Sequence, residues 1–314
     1  MNPIAEQKFS FFTHPEGKAI ALSLGVGFII LLLKIGAYLF TGSKSFMADM
    51  LESIVHNFAV AFAAYCLRLS YHPPDDNHLY GHGKVQFFSS GVEGGLVTGA
   101  GIMIIINSLY SWITGYTFHA AEAGLLLAIG AGVINTLLAV FLIYTGKRRN
   151  SIIVTANGYH VLSDVYTTSI GLLGFLITQW TGNLIYDVGI AVLAGFWIIQ
   201  EGFKLLRSSL AGLMDEVDET VDRKIREILE RQSIVQNWDY HALRHRSEGN
   251  KIWVELHLMF DEGISLEKAH HQATDLESLI RTEFNEPVYI TTHLEPKTHE
   301  HPDHVPHSHL PDYL

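Results

Sequence analysis

Six long apolar runs constrain the fold of this 314-residue chain more than any other feature. A helix needs roughly 20 mostly apolar residues to cross the hydrocarbon core of a bilayer. Runs of that length lie near 18–41, 45–68, 86–113, 120–146, 151–178 and 184–207. Several contain glycine or a polar residue, which favours helices packed around a polar interior. The sequence therefore predicts a polytopic α-helical membrane protein with six transmembrane helices.

The positive charges predict the orientation of these helices, because Lys and Arg accumulate in cytoplasmic loops. With the N-terminus inside, the cytoplasmic side receives Lys8, Lys18, Arg68, Lys84, Lys147, Arg148, Arg149, Lys204 and Arg207, and only Lys44 falls outside. Lys34 lies within the first run, where its long stem can snorkel towards an interface, so we assign it no role. Residues 1–17 are polar and resemble no cleavable signal peptide. We expect both termini in the cytoplasm.

Two pairs of carboxylate and imidazole groups lie inside the predicted spans. Glu52 and His56 are one helical turn apart in the second span, as are His160 and Asp164 in the fifth, so each pair projects from one helix face. Ionisable groups at membrane depth are costly and persist mainly where they line an ion path or pair with each other. Two imidazoles with two carboxylates suit a zinc-like ion. The pattern predicts an intramembrane metal site, with helix–helix hydrogen bonding as the alternative.

A small folded domain follows the last span. Helical periodicity, then alternation, predicts a helix at 219–232, strands at 239–247 and 251–260, a helix at 266–284 and a strand at 288–294. A Glu-Gly-Asn turn at 248–250 separates the first two strands. The αββαβ order indicates a small α+β, ferredoxin-like domain.

Histidines recur through this domain. His241 and His257 lie on neighbouring predicted strands, His270 on the second helix, and His293 with Glu295 at the end of the last strand. Each histidine alone is more typical of a surface or core position than of a ligand. Their convergence with a carboxylate predicts a second metal site.

Composition limits the partners of the C-terminal part. Residues 213–314 contain 10 Lys and Arg against 21 Asp and Glu, which accounts for the whole net charge of −11. This balance argues against nucleic acid as a partner. The single cysteine, Cys66, excludes an intrachain disulfide and a thiolate-rich metal site. The histidine-rich residues 297–314 are predicted to be a disordered tail, which either gathers divalent metal or serves as a spacer.

The segment between the second and third spans carries a specific string, Asp75-Asp76-Asn77-His78-Leu79-Tyr80-Gly81-His82-Gly83-Lys84. Together with the intramembrane pairs and the histidine-bearing domain, it resembles the cation diffusion facilitator family of divalent-metal transporters, and within it the bacterial zinc/iron-type proton antiporters. The resemblance covers about residues 15–296. It implies a homodimer in a bacterial inner membrane, with a transmembrane domain at 18–212 and a cytoplasmic metal-binding and dimerisation domain at 213–296.

The resemblance also implies roles for individual residues. It places the transported ion at Glu52, His56, His160 and Asp164, and a loop metal site at Asp75, His78 and His82. It assigns metal ligands of the cytoplasmic domain to His241, His257, His270, His293 and Glu295, and a charge pair that helps join the subunits to Lys84 and Asp215. The implied function is secondary active efflux of a divalent cation, with Zn²⁺ favoured, in exchange for protons.

Three positions depart from the family pattern, one of them Glu295, which stands where Asp is common. Glu52 stands where Asp or His is usual, and His56 where Asp is usual. Asp49, one turn before Glu52, falls outside the direct ligands and is expected to orient one of them or to relay a proton. Glu93, Asp187 and Glu201 match no metal role and are interpreted as packing or hydration residues.

Three alternatives remain open from the sequence. The protein could be a membrane-anchored metal sensor without transport, or a membrane-embedded metallohydrolase, although no H-E-x-x-H string is present. The main substrate could instead be Fe²⁺, Cd²⁺ or Mn²⁺. Mg²⁺ and Ca²⁺ are disfavoured because two imidazoles suit hard cations poorly.

Overall fold

Six long helices form the first part of the computed structural model, which describes residues 15–70, 72–119, 121–148, 152–248 and 251–297. They are α1 (Pro15–Thr41), α2 (Lys44–Ser70), α3 (Val85–Thr114), α4 (Glu122–Arg148), α5 (Ile152–Thr181) and α6 (Ile185–Leu213). Each contains a segment long and apolar enough to cross a membrane. The six predicted spans are confirmed, and the last helix is about one and a half turns longer than expected.

Predictions that concern other residues lie outside the described ranges. They include most of the N-terminal segment 1–17, the last two residues of the turn at 248–250 and nearly all of the tail 297–314. These stay predictions.

Close helix packing joins α1, α4 and α5. Ile30, Leu138, Leu142 and Val161 belong to one buried apolar cluster that these three helices share. Gly158 of α5 lies against α4 so closely that a Cβ atom there would stand 2.8 Å from the backbone nitrogen of Ile143. Small residues of this kind allow the backbones of membrane helices to approach each other.

The C-terminal domain has the predicted αββαβ order. Its elements are α7 (Glu219–Gln236), β1 (Asp239–Ser247), β2 (Ile252–Phe260), α8 (Leu266–Glu283) and β3 (Val288–Pro296). The central strand β2 pairs antiparallel with β1 and parallel with β3. Asp218 caps α7 by accepting hydrogen bonds from the N–H groups of Thr220 and Val221, and Ser265 caps α8.

The strict alternation of β2 decides which side chains remain outside the core of this domain. Ile252, Val254, Leu256, Leu258 and Phe260 are buried and pack with the core residues of α7 and α8. The intervening residues of β2 point to the opposite face of the sheet, because side chains alternate along a strand. His257 is one of them.

Candidate metal-binding sites

Helices α2 and α5 bring three of the predicted transport ligands together. His56, His160 and Asp164 each offer a ligand atom, and these atoms all lie within 4.8 Å of one another. The two imidazole rings stack, with centroids 4.1 Å apart. The Nδ1 atom of His56 is buried and has no hydrogen-bond partner among the described residues. Two nitrogens and one oxygen at this spacing suit a zinc-like ion.

Glu52, the fourth predicted ligand, is not in this group of three. It lies in the wall of a cavity of about 470 Å³ that α2, α5 and α6 enclose, together with Asp49, Ser163 and Thr167. Its role as a metal ligand therefore stays a prediction.

The predicted transport ligands of α2 line two different cavities. The cavity of about 470 Å³ is lined by residues from 45 to 52 of α2. A much smaller cavity of about 20 Å³ is lined by residues from 53 to 60 of α2, including His56, and by Asp164. His56 and Asp164 therefore line the small cavity, whereas Glu52 lines the wide one.

The interpretation of Lys34 as a snorkelling residue is wrong. Its side chain is 2% exposed, and its Nζ atom donates to Asp49 Oδ1 at 2.7 Å and to Ser53 Oγ at 2.8 Å. The Thr168 hydroxyl of α5 lies 3.0 Å from each oxygen of Asp49. The physical reason is distance, because Lys34 lies seven residues, or about 10 Å, before the end of α1. A buried ammonium that cannot reach water requires a partner carboxylate.

Asp187 also has a more specific role than packing or hydration. It is fully buried and accepts hydrogen bonds from Ser43 Oγ at 2.6 Å, from the N–H groups of Lys44 at 2.5 Å and Ser45 at 3.1 Å, and from the Tyr116 hydroxyl at 2.9 Å. Burial and the neighbouring charge of Asp187 raise the pKa of Tyr116. The carboxylate therefore caps the N-terminus of α2 from another helix. The N–H groups at the start of every helix need acceptors, so the sequence could indicate that α2 requires a cap but not that Asp187 provides it.

The loop between α2 and α3 gathers its three predicted ligands. Asp75, His78 and His82 offer ligand atoms that all lie within 4.8 Å of one another. Asp75 lies 3.0 Å from His78 Nδ1 and 3.3 Å from His82 Nε2. Desolvation tends to raise the pKa of the Asp75 carboxyl, but hydrogen bonds from the N–H groups of His78 and Asn77 outweigh it and lower this pKa. The buried Nδ1 atom of His82 has no partner among the described residues, so the donor set fits a metal ion.

The C-terminal domain gathers a third group around one carboxylate. Strand register places His241, His257 and His293 side by side on β1, β2 and β3. Glu295 lies 2.9 Å from both His241 Nε2 and His257 Nδ1, and 3.4 Å from His293 Nε2. Burial lowers the pKa of His257, and the two neighbouring imidazoles act in the same direction against Glu295. His270 is exposed on α8 and is not in this group.

The predicted charge pair is present as a contact within one chain. Lys84 Nζ lies 3.0 Å from Asp215 Oδ2, and both side chains are about one-third exposed. Its predicted contribution to joining two subunits stays a prediction.

Comparison with known proteins agrees with this arrangement along most of the chain. The model of the cation efflux transmembrane domain matches residues 20–214, and that of the cytoplasmic domain of cation efflux proteins matches residues 217–297. An uncharacterized transporter of Synechocystis sp. is 31% identical over 294 residues, which is 91% of this chain and 94% of the relative. The cation-efflux pump FieF of Pectobacterium atrosepticum is 28% identical over 270 residues, or 85% of this chain and 88% of the pump. FieF of Escherichia coli is 26% identical over 271 residues, with the same coverage. The chain therefore belongs to the cation diffusion facilitator family and is a cation efflux transporter of the membrane.

Proposed function

We propose that this transporter exports a divalent cation, with Zn²⁺ preferred, and takes up protons in exchange. The observation that carries the proposal is the group of His56, His160 and Asp164 on two membrane-spanning helices, with His56 and Asp164 lining a small cavity. In this proposal Glu52 swings from the wide cavity to complete the coordination of the ion.

The donor chemistry supports zinc over harder cations. Imidazole nitrogen is a good ligand for Zn²⁺, whereas Mg²⁺ and Ca²⁺ prefer shells made of oxygen. Two imidazoles and two carboxylates form a complete tetrahedral shell, and the two carboxylate charges balance the charge of the ion. Fe²⁺, Cd²⁺ and Mn²⁺ are the competing substrates that a transport assay must include.

Proton exchange follows from the same ligands. An imidazole or a carboxylate must be deprotonated to bind metal, so protons and metal compete for His56, His160, Glu52 and Asp164. Histidine titrates nearest physiological pH. Protons that enter from the acidic side therefore displace the metal on that side.

The two unequal cavities support alternating access. An ion that passes between Glu52, which lines the wide cavity, and His56 and Asp164, which line the small one, would meet a different cavity at each end. Closing the wide cavity and opening the small one would expose the same ligands to the other side. We propose that two copies of the chain carry out this motion as a homodimer in a bacterial inner membrane, with both termini cytoplasmic.

Proton coupling predicts a specific pattern of flux in proteoliposomes. With zinc and a fluorescent zinc reporter on opposite sides of the membrane, an imposed pH gradient is expected to accelerate zinc movement towards the acidic side. A pH reporter should record proton movement in the opposite direction. Zinc flux that ignores the gradient and moves no protons would contradict the antiport. No flux of any of the four metals, with binding to the C-terminal domain intact, would leave a membrane-anchored sensor.

We further propose that the loop group and the C-terminal group hold resident zinc. Asp75, His78 and His82 would hold one ion, and Glu295 with its surrounding histidines would hold the others, with His270 contributed across the dimer interface. Zinc at these positions would be bound by several side chains at once and would thereby fix the loop and the sheet face. The ion is linked to the arrangement of the dimer because it binds one arrangement more tightly.

Removing the central carboxylate charge tests the resident site of the C-terminal domain. Glu295→Gln is expected to lower the number of zinc ions that each purified chain retains after dialysis, because three histidines lose the anion that they surround. Elemental analysis gives the zinc content. Glu286→Gln is the matched control, because Glu286 is exposed in the same domain. Equal zinc retention in both variants would exclude Glu295 as a ligand.

A further inference from the structure

We propose that Lys34 sets the charge of the transport site. By holding Asp49 in an ion pair, it keeps a third carboxylate away from the metal and leaves Glu52 and Asp164 to face a divalent cation. This inference rests on the proposed function and adds a residue that determines metal specificity.

The Lys34 and Asp49 side chains are paired with each other and with two hydroxyl groups. Lys34 donates to Asp49 at 2.7 Å and to Ser53 at 2.8 Å, and Thr168 holds both oxygens of the same carboxylate. The Lys34 and Asp49 side chains are 2% and 6% exposed. The pair thus joins α1, α2 and α5 and is shielded from water, where a charge without its partner is costly.

Asp49 lies on the same helix as two of the predicted metal ligands. Asp49, Glu52 and His56 follow each other at helical spacing on α2, so they share one helix face. Asp49 and Glu52 also line the same wide cavity. On α5, Thr168 lies one turn after Asp164. Asp49 is therefore one turn from the metal group, and its bonds to Lys34 and Thr168 hold it there.

The ion pair of Lys34 and Asp49 determines how many carboxylate charges face the metal. With the Lys34 and Asp49 charges cancelling, two carboxylates and two neutral imidazoles compensate one divalent ion. Loss of the Lys34 charge would release Asp49 as a third carboxylate and enrich the site in oxygen ligands, which suit Mn²⁺ better than imidazole-rich sites do. Loss of the Asp49 charge would instead leave an unbalanced ammonium beside the site, which repels every divalent cation.

The two single substitutions are thus expected to act in opposite directions and to cancel when combined. The metals are Zn²⁺ and Mn²⁺ alone, bound to purified full-length protein in competition with a fluorescent chelator. For each variant, the binding lost on adding His160→Ala isolates the transport site from the other groups. Lys34→Met is expected to raise Mn²⁺ affinity relative to Zn²⁺ at least about tenfold, and Asp49→Asn to weaken both metals at least about tenfold.

The double variant Lys34→Met/Asp49→Asn is expected to return to within about threefold of the wild-type affinities, because its charges balance again. Lys204→Met serves as control, because Lys204 is exposed and pairs only with the exposed Glu201 among the described residues. Thermal unfolding shows which variants fold. If Lys34→Met fails to fold, Asp49→Asn and the double variant still decide the question.

The measurements distinguish a failure of this inference from a failure of the proposed transport site. Unchanged metal affinities and an unchanged metal order in every folded variant would overturn this inference and leave the Lys34–Asp49 pair with a structural role alone. Zinc binding that does not depend on His160 in the wild type would overturn the proposed transport site itself.

Discussion

Replacing His160 by alanine is expected to reduce zinc flux in proteoliposomes to the level of empty liposomes. His160 supplies one of the two nitrogens of the group that it forms with His56 and Asp164. Changing a partner outside the metal ligands typically costs about 10–100-fold in metal affinity, and losing a ligand itself is expected to cost at least about 100-fold. Initial rates of zinc uptake at equal protein content measure the loss.

The controls for this prediction are available in the same chain. His119→Ala removes an exposed histidine between α3 and α4 and should leave the flux unchanged. His56→Asp, which restores the residue that is usual in the family, should retain flux but change the order of Zn²⁺, Fe²⁺, Cd²⁺ and Mn²⁺. Wild-type flux in a well-folded His160→Ala variant would exclude this residue from the path of the ion.

Removing the Asp187 carboxylate is expected to destabilise the transmembrane domain severely. Asp187→Ala leaves the first N–H groups of α2, the Ser43 hydroxyl and the Tyr116 hydroxyl without their buried acceptor. Hydrogen bonds to a charged group contribute about 1.5–3 kcal/mol each, so the loss should reach about 3–5 kcal/mol after relaxation. Thermal unfolding in detergent, followed by size-exclusion chromatography, measures it.

Two variants locate the cause of this loss. Asp187→Asn keeps one acceptor oxygen and should fall between the wild type and Asp187→Ala. Glu201→Ala, on the same helix, removes an acid whose only described ion pair is exposed, and such a pair is worth about 0–1 kcal/mol. Equal melting temperatures for Asp187→Ala and Glu201→Ala would show that the cap of α2 is dispensable.

Hydropathy and alternation alone predicted most of the fold. Each transmembrane helix requires a long apolar run, so the six runs could be read directly. The alternation of apolar residues along β2 is also visible in the sequence, and it places His257 on the face opposite the core. The grouping of His241, His257 and Glu295 could also be predicted, because neighbouring strands place facing residues together.

The contacts of the charged residues inside the membrane could not be predicted in the same way. The partner of Lys34 depends on how α1 is rotated against α2, and helical spacing within one helix does not fix that rotation. The capping of α2 by Asp187 joins residues 142 to 144 positions apart in the chain. Helical spacing placed Glu52 and His56 on one face, but their different cavities depend on the packing of α6 against α2 and α5.

In the proposed mechanism, the transported ion binds between α2 and α5. The most direct test is an anomalous difference map from zinc-loaded crystals of the full-length protein, recorded at the zinc absorption edge. The expected result is a peak within about 2.0–2.2 Å of ligand atoms from His56, His160 and Asp164, with Glu52 as the fourth ligand. Peaks confined to the loop group and the C-terminal group, with none between α2 and α5, would contradict it.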